Sequence, residues 1–171
     1  MEQPSHTSSV LEGIKVPSNL DFAVLPISPR ELTIVFTNAR VELGPTGSFV
    51  NQTAIQTKVI TLNIPYSSDQ PVLEMRLRIQ GYAELIEAEA GVHFRLVVCA
   101  GSMTKVVNAT PDFSERFEFK VYPRVVNPVC QVTLFLLVEH DIDTHDARGA
   151  VLNVDQLDME IVTPDTGTFM R

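Results

Sequence analysis

The chain has 171 residues and carries 13 Lys+Arg against 21 Asp+Glu, a formal net charge of −8. That length suits one domain, and a hydrophobic share of 44% with 20% charged residues supports a core rather than a disordered chain. The acidity excludes a general nucleic-acid binder, which needs clustered positive charge to displace counterions.

The opening residues, Met1 to about Asn19, are rich in Ser, Pro and polar side chains and read as a flexible arm, residues 1–19. They show no basic cluster followed by an apolar stretch, so no secretory signal is expected there. No run of about 18 apolar residues occurs, so no bilayer-spanning helix is expected. Cys99 and Cys130 are too few for a disulfide scaffold and lie in apolar surroundings, where they read as two buried thiols. A reducing, cytoplasmic setting follows as the expectation.

Pro26 and Pro29 interrupt the chain before its first strand signal, the β-branched and aromatic run Leu32 to Thr37. Gly44-Pro45-Thr46-Gly47-Ser48 is turn chemistry. From Ile55 to Ile64 the chain alternates, with Lys58, Ile60, Leu62 and Ile64 forming a mostly apolar set, as in a strand with one wet face. Leu73, Met75, Leu77 and Ile79 then alternate with Glu74, Arg76, Arg78 and Gln80. A helix scatters those polar residues around its axis, whereas a strand puts them all on one side. Ala83 to Ala90 has helix-forming residues but is too short to hold a helix unaided, and reads as an acidic loop. Further strands are expected at His93 to Cys99, Thr104 to Val107, Arg116 to Val121 and Val132 to Val138. The last strand, from Val151 to Val162, reads as one run or a pair of short pieces.

The count is eight strands and little helix, which predicts an all-β fold, an antiparallel eight-stranded β-sandwich spanning residues 20–165 with a short tail at 166–171. The jelly roll is the alternative arrangement of the same strands. Helix-free patterning argues against Rossmann, P-loop and TIM-barrel enzymes, which need long crossover helices.

The most chemical segment runs from Val138 to Gly149 and holds Asp141, Asp143 and Asp146, hard oxygen ligands suited to Ca²⁺. An EF-hand started at Asp141 wants Gly where Asp146 stands and Glu where Leu152 stands, so that template fails. The plainer reading is a solvated acidic turn. His140 and His145 have no Cys-x-x-Cys to complete a zinc site. No Gly-x-Ser-x-Gly elbow occurs, and His93 and Cys99, six apart on a strand, are about 20 Å from each other, beyond hydrogen-bond reach. No catalytic residue is expected, and the chain reads as a non-enzyme.

Four segments together resemble a C2 domain, covering roughly residues 73–162. Leu77 to Leu85 is similar to the family's opening strand, and Gly91 to Val98 to its Gly-led second segment. Lys105 through Thr110-Pro111-Asp112-Phe113-Ser114-Glu115-Arg116-Phe117-Glu118-Phe119 resembles its Asn-Pro-x-Phe/Trp-Asn-Glu-x-Phe-x-Phe signature. Val138-Glu139-His140-Asp141-Ile142-Asp143, followed by Asp146 and Gly149, resembles its Asp-bearing loop. The resemblance implies a sandwich that docks on a protein partner or a phospholipid membrane, with calcium held by Asp141, Asp143 and Asp146 and a facing loop. That facing loop offers Glu87 and Glu89 and no Asp, and the Asp143-to-Asp146 gap is short for the family; both weigh against a complete calcium pocket. Arg76, Arg78, Arg95 and Lys105 are scattered in sequence, a thin basis for binding anionic lipid.

Two functions from different classes follow. One is a non-catalytic C2-like docking module, cytoplasmic and peripheral at a membrane if lipid is its partner. The other is a structural jelly-roll subunit of a shell, fibre or other assembly, driven by edge pairing or facing sheets. A carbohydrate-binding sandwich ranks third, since the chain has no Trp to stack on sugars.

Overall fold

The computed structural model describes residues 10–11, 13–14, 21–43, 54–68, 70, 72–85, 92–122, 128–140 and 150–162. Among these residues eleven strands follow one another: β1 (Val10–Leu11), β2 (Phe22–Ser28), β3 (Glu31–Phe36), β4 (Arg40–Leu43), β5 (Ala54–Ser67), β6 (Leu73–Leu85), β7 (Val92–Ala100), β8 (Met103–Asn108), β9 (Phe113–Val121), β10 (Val129–His140) and β11 (Ala150–Val162). All pairings are antiparallel. One sheet runs β1-β5-β10-β7-β8 and the other β2-β3-β11-β6-β9, with β4 also pairing β11.

Taking β3 and β4 as one broken strand, the chain from there to β11 changes sheet at every step except the β7–β8 hairpin. That gives four-strand orders β5-β10-β7-β8 and β3/β4-β11-β6-β9, the double-sheet jelly-roll arrangement. The β7–β8 turn is two residues, Gly101 and Ser102, with Gly101 at φ 56°, a left-handed conformation that a primed hairpin turn requires and Gly adopts freely.

The expected count of eight strands is corrected to eleven. The eight segments expected correspond to β3 and β5 to β11, and the additions are β1, β2 and β4. β2 carries Pro26, which a sheet interior rejects for want of an N–H; as an edge strand with a register shift between Pro26 and Ser28 it accommodates it. β1 lies within the stretch expected as an arm and pairs Val10 with Ser67 and Leu11 with Tyr66, while the Leu11 amide donates to the Pro29 carbonyl at 2.8 Å. Ala83 to Leu85, expected at the start of an acidic loop, continues β6.

The core lies between the sheets and follows the pleat. Ile60, Leu62, Ile64 and Tyr66 of β5 point inward with Val132, Leu134, Leu136 and Val138 of β10 and Leu96 and Val98 of β7. Leu73, Met75, Leu77 and Ile79 of β6 face them from the other sheet with Leu157, Met159 and Ile161 of β11. Lys58 shares the inward parity of β5 but donates from Nζ to the Asn38 carbonyl at 2.6 Å, tying β5 to the bend between β3 and β4. Cys130 is buried, but Cys99 is half-exposed; it shares the outward parity of Val97, which corrects the expectation of two buried thiols.

One residue breaks the rhythm. Between Val154 and Gln156 the β11–β6 register shifts, leaving Asp155 as the extra residue of a β-bulge. Before it Ala150, Leu152 and Val154 are buried at even positions, and after it Leu157, Met159 and Ile161 at odd ones. The break between β3 and β4 sits on the other side of the same point, where the Val154 amide donates to the Ala39 carbonyl at 2.9 Å. Buried Asn153 donates from Nδ2 to Asp155 Oδ1, so its amide nitrogen is not left unsatisfied. Gly81 pairs Val154 at the bulge and Phe113 on β9. A Cβ there would press into the Asn153 carbonyl oxygen and stand 2.7 Å from the Phe113 ring.

Two outcomes are expected. Gly81→Ala forces the bulge or the Phe113 ring to move and destabilises the fold by about 1–3 kcal/mol, measured by urea denaturation. Burial pushes the Cys130 thiol up from its ordinary 9.0 to about 12. The unfolded thiol therefore loses its proton first, so unfolding free energy is untouched below about pH 9 and falls above it by up to about 1.4 kcal/mol per pH unit. Denaturation series on wild type and Cys130→Ala across that range check this, the variant showing the shallower loss.

Candidate functional site

Asp141, Asp143 and Asp146, the expected calcium ligands, and Glu87 and Glu89 of the facing loop all lie outside the described residues. Among the described residues no group of three or more His, Cys, Asp or Glu stands placed to hold a metal ion. His93 and Cys99 share the outward parity of β7, as six-residue spacing on a strand dictates.

The described surface offers two contrasting faces. On the outside of the six-stranded sheet, polar residues of β3, β11, β6 and β9 stand in cross-strand rows. One row is Thr33–Asp158–Arg78–Arg116, and the next is Glu31–Glu160–Arg76–Glu118. All of these except Glu118 line a groove of about 360 Å³, with Ile27 of β2 at its edge. Asp158 is the hub: Oδ1 accepts from Thr33 Oγ1 and Gln156 Nε2, both at 2.7 Å, and Oδ2 from Arg78 Nε at 2.9 Å. With its amide oxygen turned toward Arg78, Gln80 accepts from the same guanidinium. Arg76 spans two acids, donating to Glu118 Oε1 from Nε at 3.2 Å and to Glu160 Oε2 from Nη1 at 3.0 Å. The hydrogen bond to Glu118, then the charge of Glu160, raise its pKa above the ordinary arginine value. Arg76 and Arg78, scattered in sequence, thus meet Arg116 on one face. Arg95 lies on the opposite sheet, and Lys105 on β8 of that same sheet.

The outside of the five-stranded sheet differs. In register across β5, β10, β7 and β8 stand Val59, Phe135, Val97 and Val106. Val59 is 56% exposed, Phe135 40% and Val106 61%, so this is an apolar row open to solvent. Thr61, Thr133, Cys99 and Thr104 flank it on one side, and Thr57, Leu137, Arg95 and Asn108 on the other. Ile55 and Glu139 continue the second flank. The sequence reading missed both surfaces. The signal for each was outward parity on separate strands, and it becomes a surface only once the strand order is known.

No known protein family and no curated protein sequence matches the chain. Among solved structures, it is similar to TmCBM61, solved in complex with β-1,4-galactotriose, at 11% identity over 85% of this chain and 90% of that one, with a TM-score of 0.29. It is also similar to the arabinose-bound α-L-arabinofuranosidase MgGH51 at 9% identity and a TM-score of 0.22, over 85% of this chain but 23% of that one. Likeness this distant carries no functional argument.

Removing the hub tests the polar lattice. Asp158→Ala leaves Arg78 without its carboxylate and directly across from Arg116. The pair is partly exposed, so the expected loss is about 1–2 kcal/mol in chemical denaturation, shrinking in high salt.

Proposed function

We propose that the chain is a non-catalytic jelly-roll docking module that works by sheet-to-sheet association, its partner being a second copy of itself. The observation that carries this is the uncharged row Val59–Phe135–Val97–Val106, open on the five-stranded sheet. A contiguous apolar row exposed on the face of a sheet marks an interaction surface.

Charge and area favour a second copy. A two-fold axis parallel to the strands, between β10 and β7, lays Phe135 on the partner copy's Val97 and Val59 on its Val106. The same operation lays Glu139 on the partner copy's His93, two positions along the strand from its Arg95, so the nearest opposite charges across the contact are complementary. Four strands about 4.8 Å apart and about nine residues long give a flat footprint of about 570 Å², which side-chain relief raises toward the ~800 Å² per partner of a standard interface. Facing sheets at about 10 Å are a familiar packing. Edge pairing is less favoured, since edge strand β9 displays Glu115, Arg116, Glu118 and Lys120.

The C2-like reading puts the contact elsewhere, on the rim from Asp141 to Asp146, with a protein partner or a phospholipid surface. Co-sedimentation with anionic liposomes, with and without Ca²⁺, separates it from the sheet-face reading.

Sedimentation equilibrium at rising protein concentration tests the proposal. The wild-type chain is expected to run as a dimer, and Phe135→Glu or Val59→Glu as a monomer with an unchanged circular dichroism spectrum. A wild-type chain that stays monomeric at millimolar concentration overturns it.

A further inference from the structure

The opposite face carries an independent site. In the groove across β3, β11, β6 and β9, two charged groups lack a side-chain partner among the described residues: Arg116 on β9 and Glu31 on β3. Each faces a like charge in register, Arg116 across from Arg78 and Glu31 across from Glu160. Arg78 is held by Asp158 and Glu160 by Arg76, so neither neighbour is the problem. Like charges directly opposite on a sheet are destabilising. A lattice that otherwise matches acid to base therefore leaves one positive corner and one negative corner open, with a groove of about 360 Å³ between them.

We propose that this groove binds a hydroxyl-rich carboxylate of the uronic-acid type, its carboxylate held between Arg116 and Arg78 and its ring hydroxyls donating to the acidic wall. The planar guanidinium fork matches a carboxylate, and a single negative charge relieves the Arg78–Arg116 opposition. Polyanions are disfavoured, because Asp158, Glu160 and Glu31 line the far wall and the chain's net charge is −8. Those same carboxylates accept hydrogen bonds only, so the ligand's other face must be rich in donors. A free amino acid meets both charges in principle, but its ammonium and carboxylate are adjacent. The open corners lie three strand spacings apart, about 14 Å across the sheet. The hydroxyls of one sugar ring reach Asp158 and Glu160 on the strand beside Arg78, and a second ring extends toward Glu31. The groove volume is in the range of small-ligand sites. With Ile27 the exposed apolar wall and no aromatic platform in the groove lining, charge and hydrogen bonds carry the recognition, so binding is weak and salt-sensitive.

The test is an amide NMR titration of the full chain at low salt with D-glucuronate, D-glucose and acetate in parallel. Glucuronate is expected to shift amides of β6, β9 and β11 saturably, acetate to bind at least tenfold more weakly, and glucose not to bind. Arg116→Gln, an exposed change that also removes the opposition to Arg78, is expected to weaken glucuronate at least tenfold with a melting temperature no lower than wild type's. The Phe135→Glu monomer is expected to bind as wild type does, which separates this site from the sheet-face contact. Three results overturn the proposal: no saturable glucuronate binding, acetate binding as tightly as glucuronate, or Arg116→Gln binding undiminished.

Discussion

The pleat of the two central pairs, β5–β10 and β6–β11, is the constraint on which the rest of the molecule rests. On a strand, successive side chains point to opposite faces, so the assignment of one residue to the core assigns all the others. Inward parity on β10 gives Val132, Leu134, Leu136 and Val138 to the core and sends Thr133, Phe135 and Leu137 outward. Inward parity on β6 buries Met75, Leu77 and Ile79 and places Arg76, Arg78 and Gln80 in the groove lattice. A slip of one residue would bury two guanidinium groups and expose Leu73, Met75, Leu77 and Ile79, a cost far beyond the few kcal/mol by which domains are stable. The core therefore specifies both outer faces, although no outward residue contributes to it.

The bulge at Asp155 shows how the constraint is kept where the sequence itself changes phase. β11 is apolar at even positions up to Val154 and at odd positions from Leu157, so an unbulged strand would turn one half of it inside out. One extra residue restores the register, and the break between β3 and β4 lets the neighbouring strand follow it. Gly81 on the other side is the geometric consequence, since the bulged backbone approaches too closely for any Cβ. The turn into the groove begins here: Gln156 and Asp158, the first outward residues beyond the bulge, are the ones that join the Arg78 cluster.

β5 and β6 were legible because each alternates between apolar and polar residues, and Leu73 to Gln80 is the clearest. Of the two readings left open for the last strand, the single run is the one found, since the bulge at Asp155 shifts its register without ending it. β2 was not, because Pro26 is a breaker in a sheet interior and only the edge position makes it tolerable. β1 and β4 are two and four residues long, too short for a period to declare itself. The outward position of Cys99 was hidden by local hydrophobicity: Leu96, Val97, Val98 and Cys99 read as one apolar run, though the pleat divides them between core and surface. The residues chosen from sequence as metal ligands were chosen by type and proximity along the chain. The surfaces that the fold assembles draw on four strands each, with Thr33 and Asp158 bonded across 125 positions, and local spacing carries no trace of them.

The two outer faces differ in a way that stability alone does not demand. A solvated sheet face can carry almost any mixture of Thr, Lys and Glu, and the residues flanking the apolar row, Thr61, Thr133 and Thr104, follow that habit. Val59, Phe135, Val97 and Val106 do not, and they do so in one register row rather than scattered, which is what a second sheet laid across them requires. On the other sheet, the lattice around Asp158 satisfies most of its charges internally and leaves Arg116 and Glu31 open at diagonal corners. A face used only for solubility gains nothing from setting Arg116 against Arg78, whereas a face that takes a ligand of opposite charge gains its complementarity there. On the two proposals one sheet meets a dry surface and the other a polar molecule, and because the core separates the faces, a substitution on either is expected to leave its counterpart undisturbed.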